Sequence, residues 1–456
     1  MTIVSTNPSR GYDVIGRVDD STVADVKTKV DAAHKAKKIW RDVGVVGRSE
    51  LLRKIGKNLE QNADRIAALE AQEMGMPIKD ARLGVAASLA FWNSYLDSAE
   101  ALLGANIIFE NDREVHELHR IPRGVAACIV PWNYPLSNFV WQCGQNFVAG
   151  NTIVFKHSEE TPLCGKFIEE IVSAELPDGV FSEIYGDGTV GRLLVEQDVD
   201  FVCFTGSSAV GREIAGVAGS RLIPTSMELG GSAPGIVFDD SDISAVASAI
   251  YDLRFANSGQ SCCALKRLIV HRAKYEETLA ALTDIIRGKK IGDASDEDTD
   301  LGPLVAKRQL ELLENQVADA VENGATVLTG GKRPDDLQGA YYEPTILTNI
   351  MPDMRVWKEE TFGPVLPIIT FDSEEEAIKL ANDTTYGLGG YIFTTDTDRF
   401  KRVAMDVESC LVSHNTLDFV RPGNFFGGCK QSGSGREHGP EGFHHVTQSK
   451  IITREK

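Results

Sequence analysis

Apolar positions first recur three and four residues apart. Val26, Val30, Ala33, Ala36 and Trp40 line one face of a predicted helix. Ser21-Thr22-Val23-Ala24-Asp25 opens it, with Thr22 as cap and Asp25 reaching back. Leu52, Ile55, Leu59, Ile66 and Leu69 give the next helix a similar face, and Gly75 and Pro77 end it. From about residue 124 the pattern changes to short apolar runs between helical stretches. The runs cover residues 125–130, 152–155, 181–185, 201–204, 235–238 and 268–271. Continuous rather than alternating runs predict strands covered on both faces, in a parallel α/β sheet. A second set over 325–328, 365–369, 391–393 and 410–413 predicts a second α/β domain. Residues 106–119 mix charged and apolar positions and read as an exposed strand pair. The tail 447–452 can pair with it or with another subunit.

Composition narrows the function. The 456 residues carry a net charge of −19, which argues against nucleic acid and anionic membranes. No apolar run approaches the roughly 20 residues needed to span a bilayer, the start lacks a signal-peptide pattern, and cytoplasm is the default. The eight cysteines are scattered and form no CxxC pair, so no metal is expected. Most of them suit small buried side chains in a reducing compartment.

Three clusters carry chemistry. Gly259-Gln260-Ser261-Cys262 reads as a turn into a helix, where free amides and the dipole favour a thiolate at Cys262. On such a helix Cys263 would point about 100° away. Glu228 precedes Leu229-Gly230-Gly231, and a carboxylate beside glycines suits a general base. Asn133, in Pro131-Trp132-Asn133-Tyr134-Pro135, can donate to an oxyanion. Tyr134, Asn138 and Trp141 would share a helix face beside it. Each also has an ordinary reading: a core cysteine, a surface glutamate, a helix cap, a core tryptophan. For phosphate, Gly186-Asp187-Gly188-Thr189-Val190-Gly191 matches GxGxxG but lacks the acidic partner of a dinucleotide fingerprint. Phe204-Thr205-Gly206-Ser207 through Gly211 is the better candidate, because it closes a strand and opens a helix. Lys156 and Glu159 are the right types to hold ribose hydroxyls. Arg421 lies in a loop before Phe425-Phe426-Gly427-Gly428.

In this order and spacing the clusters resemble the aldehyde dehydrogenase superfamily, from Asn7-Pro8 to Thr447-Gln448-Ser449-Lys450. Glu359-Glu360-Thr361-Phe362-Gly363-Pro364-Val365 resembles its EExFGPV motif, and residues 426–437 resemble FGGxKxSGxGRE. The resemblance implies two Rossmann-like α/β domains plus a small β oligomerisation flap. The implied boundaries are 1–108 with 127–230 for cofactor, 231–432 for catalysis, and 109–126 with 433–456 for the flap. It implies Cys262 as nucleophile, Asn133 and the Cys262 amide as oxyanion hole, and Glu228 as the base for deacylating water. Pro131, Trp132, Leu229 and Gly230 would line the cofactor cleft. Lys156 and Glu159 would hold the adenosine ribose, Gly191 would edge the adenine, and Phe204, Gly206, Ser207 and Gly211 would meet the pyrophosphate. Glu360 and Phe362 would place the nicotinamide riboside. Tyr134, Asn138, Trp141, Arg421 and Phe426 would border the substrate, an aldehyde with a polar end such as a semialdehyde. Ser232 departs from the family's frequent lysine, and His414 from an aliphatic position. NAD is expected over NADP, because Glu159 would repel a 2′-phosphate. A homodimer or homotetramer is implied. Three competing readings are a CoA-acylating enzyme, a non-catalytic protein on the same fold, and a cysteine hydrolase. The first is disfavoured by Glu228, the second by the intact trio, and the third by the lack of a histidine dyad motif.

Overall fold

The computed structural model describes residues 2–456. An antiparallel hairpin, Thr2–Asn7 with Asp13–Asp19, leads into the helix Val23–Asp42. That helix carries the full capping box at Thr22 and Asp25 and buries all five of its predicted apolar residues. The second predicted helix is two helices, Gly44–Gln61 and Ala63–Met74, broken at Asn62. The polar Gln61-Asn62 pair interrupts the apolar face between Leu59 and Ile66. Gly75 then ends the second piece in the left-handed conformation. A long helix, Ile78–Leu103, follows.

The first sheet has six strands, ordered Gly433–Ser434, Thr225–Glu228, Phe201–Thr205, Val125–Ile129, Thr152–Lys156, Phe181–Glu183. All but Gly433–Ser434 run parallel. Strand order reverses between Val125–Ile129 and Phe201–Thr205, which opens a crevice beyond their carboxyl ends. The second sheet has seven strands, ordered Thr326–Thr329, Thr345–Thr348, Val365–Phe371, Leu265–His271, Ala233–Val237, Gly389–Phe393, Leu411–His414. Glu228 ends the strand Thr225–Glu228, as its place before the glycines suggests, while Thr345–Thr348 escaped the sequence pattern because so short a run, half threonine, carries no continuous apolar signal. Glu228 ends a strand of one sheet and Ala233 begins a strand of the other, so the Leu229-to-Ser232 link joins them.

The tail Thr447–Glu455 pairs antiparallel with the chain's own Glu114–Pro122, which also pairs with Asn106–Glu110. No helix of the described residues is long and apolar enough to cross a membrane.

The predicted helix after Cys262 is absent. Ala256–Gly259 is a short 3-10 turn, Ser261 to Ala264 continue as turn, and Leu265–His271 is a strand. Pairing with Ala233–Val237 and Val365–Phe371 takes Leu265–His271 into the sheet, which leaves no residues for a helix.

Candidate active site

One cavity of about 660 Å³ opens where the carboxyl edge of the first sheet meets the amino edge of the second. Asn133, Glu228 and Cys262, from three distant segments, all line it. The chain backing Cys262 is bent into unusual conformations. Asn257 and Ser258 are left-handed at φ 49° and 54°, and Gly259 is at 75°. A side chain at 259 would collide with the Gly363 carbonyl, so glycine is required. The strain is held by hydrogen bonds. Ser258 Oγ donates to the Gly302 carbonyl at 2.8 Å, and Gln260 Oε1 accepts from the Val305 N–H at 3.0 Å.

Asn133 faces this turn. Its Nδ2 donates to the Gln260 carbonyl at 3.1 Å, and its Oδ1 accepts from Asn138 Nδ2 at 3.2 Å. Asn257 Nδ2 holds the Asn133 carbonyl at 2.9 Å. The helix Pro135–Ala149 is capped at Tyr134 without a side-chain bond, so Asn133 is not a helix cap. Asn138 borders the cavity, but its amide is turned to Asn133 and the Pro131 carbonyl, where it orients the donor.

Without a helix behind Cys262, Cys263 is not directed away. Both thiols line the cavity. The neighbouring Cys263 thiol and burial push the Cys262 thiol up, while the Cys262 thiol and the Ser261 hydroxyl bring Cys263 down against its burial. Lys266 lowers both. The two thiols therefore titrate as a pair.

Glu228 is buried, and neither carboxylate oxygen has a hydrogen-bond partner among the described residues. Gly427, at φ 148°, lets the backbone approach Glu228; an added Cβ there would sit 2.8 Å from Oε1. Burial raises the Glu228 carboxyl well above its ordinary range, the neighbouring Glu437 raises it further, and Arg436 opposes them. Glu437 also lines the cavity and is pushed up to about 8 by burial. Sequence reasoning gave Glu437 no role, although it ends the quoted Gly435-Arg436-Glu437 motif. Phe91 and Leu312 were missed as well, because they reach the cavity from helix faces that look like ordinary core or surface.

Pro131, Trp132, Gly206, Ser207, Leu229, Gly230, Glu360 and Phe362 all line the cavity. Trp132 meets Phe362 edge to face at 5.6 Å. Ser207 caps the helix Ser208–Ser220, accepting from the Val210 N–H at 3.4 Å. Phe204, Gly191 and Gly211 lie outside the wall. Phe204 packs beneath Gly206, Gly211 admits Leu229, and Gly191 rests on the Lys156 stem. Lys156 Nζ, at the carboxyl end of its strand, donates to the His157 carbonyl at 3.1 Å and lies 3.9 Å from Glu159. Burial lowers its pKa.

Tyr134, Trp141 and Phe426 form an aromatic wall, with Trp141 5.0 Å from Phe426 and 5.5 Å from Phe91. Asp418 and Arg421 also border the cavity. Arg421 is exposed, with no hydrogen bond or ion pair to its guanidinium among the described residues.

Known proteins match this arrangement throughout. The aldehyde dehydrogenase family profile covers residues 1–452. Succinate-semialdehyde dehydrogenase [NADP(+)] of Deinococcus radiodurans is 34% identical, over 98% of this chain and 96% of that protein. The 3,6-anhydro-alpha-L-galactose dehydrogenase of Streptomyces coelicolor is 35% identical, over 99% and 92%. The crystal structure of PnpE in complex with nicotinamide adenine dinucleotide superposes with a TM-score of 0.96 at 36% identity, covering 100% of this chain and 94% of that one. With a profile match from end to end and relatives of this coverage, the chain belongs to the aldehyde dehydrogenase family.

Proposed function

We propose that this chain oxidises a small polar aldehyde to its carboxylic acid, with NAD preferred over NADP, through a thioester on Cys262. The observation that carries the reading is the convergence of Cys262, the Asn133 amide and Glu228 on one cavity. The Cys262 thiolate attacks the aldehyde carbon, and the Asn133 Nδ2–H and the Cys262 amide face the resulting oxyanion. The thiohemiacetal carbon must then lose a hydride, which a dinucleotide bound in the same cavity would accept, and that loss leaves the thioester. Glu228 then takes a proton from water as that water attacks the thioester, and the acid leaves as Cys262 is restored. A base at this place favours hydrolysis over transfer to coenzyme A.

The residues present fit a dinucleotide, which supplies the hydride acceptor when bound. Gly206 and Ser207 sit where a strand ends and a helix begins, with the Ser208 and Ala209 amides ahead of the capped Val210 N–H placed for phosphate. Lys156 and Glu159 stand at the neighbouring strand end for one ribose, and Glu360 in the cavity wall for the other. Gly230 belongs to this cradle, since a Cβ there would collide with the Glu360 carboxylate. Phe204 and Gly211 would support the phosphate loop from below, and Gly191 the adenine side. Glu159, with its side chain 38% exposed, can meet ribose hydroxyls and would repel a 2′-phosphate.

At the mouth, Arg421 is the group suited to a distal carboxylate, since Asn138 is spent on Asn133. The succinate-semialdehyde and anhydrogalactose relatives act on polar aldehydes, in keeping with this. The same reading keeps the division into cofactor segments 1–108 and 127–230, a catalytic segment 231–432 and a flap of 109–126 with 433–456. It also takes the protein as a cytoplasmic homo-oligomer. The test is kcat/KM for succinic semialdehyde and butanal, with NAD and NADP, in wild type and Arg421→Ala. The expected outcome is a loss of about tenfold or more for the semialdehyde alone, and NAD preferred. Equal losses on both substrates would remove Arg421 from carboxylate recognition.

A further inference from the structure

The nucleophile's turn leads into a strand, so no helix dipole supports its thiolate. Lys266 stands where that support is missing. It is buried, one residue into the strand Leu265–His271. Its Nζ donates to the Gly231 carbonyl at 2.8 Å and to the Cys262 carbonyl at 3.1 Å, and pairs with Glu360 Oε1. Three N–H donors thus find three acceptors. The same Glu360 oxygen accepts from the Gly231 N–H at 3.0 Å. Lys266 Nζ also lies 5.1 Å from the centre of the Phe362 ring. One ammonium therefore touches the carbonyl of the nucleophile, the link between the two sheets, and both residues assigned to the nicotinamide riboside.

We propose that Lys266 is a positioning residue that promotes ionisation of Cys262 and holds Glu360 toward the cofactor, with Glu360 attenuating its charge. The inference rests on the reading of Cys262 as nucleophile. The groups facing Cys262 are few. Cys263 and Lys266 belong to its own segment. Glu360 comes from the loop after the helix Arg355–Lys358, Glu228 from across the cavity, and Asp418 from the loop after Leu411–His414. Tyr134 and Tyr391 are the neighbouring phenols. Arg421, exposed, and Glu437 border the same cavity, and Lys266 is the cation whose Nζ bonds the Cys262 backbone. It acts to lower the Cys262 thiol, and Glu360 to raise it.

The experiment follows carbamidomethylation of Cys262 by iodoacetamide against pH, in enzyme free of cofactor and in a Cys263→Ala background so that one thiol titrates. Lys266→Met should move the midpoint up by about one unit or more. Lys266→Arg should restore most of that shift, and Glu360→Gln should move the midpoint down. A Lys266→Met protein that melts like its parent and keeps the parent midpoint would overturn the proposal. If Lys266→Met does not fold, Glu360→Gln decides alone, and an unchanged or raised midpoint rejects it. The reading of Cys262 as nucleophile fails separately, if Cys262→Ala keeps turnover, because the alkylation midpoint does not depend on turnover.

Discussion

Cys262 and Cys263 are adjacent and border one cavity, so what distinguishes them is the surroundings of each. The Asn133 amide is bonded to the Gln260 carbonyl, at the turn leading to Cys262. Cys263 lies 3.4 Å from Ser261 Oγ, and its carbonyl accepts from Tyr391. Cys262→Ala should therefore abolish NADH formation, while Cys263→Ala keeps most of it; the reverse would exchange their roles. Glu228 poses a different question at this scale. A general base works deprotonated, and burial with Glu437 raises the pH at which Glu228 loses its proton. Rates limited by deacylation should climb with pH and level off once Glu228 is ionised. Glu437→Gln removes the like charge, so the acid limb of kcat should move to lower pH. A limb that stays in place would show that Glu437 does not act on the base.

Among elements, the helix Ala63–Met74 organises two others from a distance. Glu70 Oε1 accepts from the Leu136 N–H at 3.0 Å, at the start of Pro135–Ala149. Glu73 accepts from the Leu163 and Cys164 N–H groups at 2.9 and 2.7 Å, at the start of Pro162–Ser173. Neither recipient helix has a side-chain cap of its own, and each begins with proline. These buried carboxylates supply the missing acceptors. The Pro135 helix follows directly on Asn133, so its cap bears on the oxyanion donor. Glu70→Ala should cost about 1–3 kcal/mol of stability by leaving a buried N–H unmatched, and should lower kcat more than it raises KM. Thermal melts and steady-state kinetics on the one variant measure both. Unchanged kcat would separate the cap from the site.

At the scale of the whole molecule, the three-stranded sheet of Asn106–Glu110, Glu114–Pro122 and Thr447–Glu455 leaves both of its outer strands uncovered within one chain. Ile107, Ile108, Phe109, Ile451 and Ile452 stand exposed on its two outer strands. Those strands also present free edges, which folded proteins usually cover. Light scattering should find a dimer or tetramer at micromolar concentration. A lone particle of 49.7 kDa would show that the flap needs no partner.

The sequence by itself determined what depends on neighbours along the chain. The capping box at Thr22, the left-handed stop at Gly75 and the apolar runs of both sheets follow from local propensity and periodicity, and the structure forms them where they were read. The ordered motifs were enough to indicate the family. The tertiary structure decided what depends on residues far apart in the chain. Leu265–His271 was claimed as a strand by its partners Ala233–Val237 and Val365–Phe371, which removed the helix expected at Cys262. Lys266 meets Glu360 across 94 residues, and Glu70 meets Leu136 across 66. No local pattern encodes such pairings. They arise when elements distant in the chain pack together and bury polar groups that must find partners there.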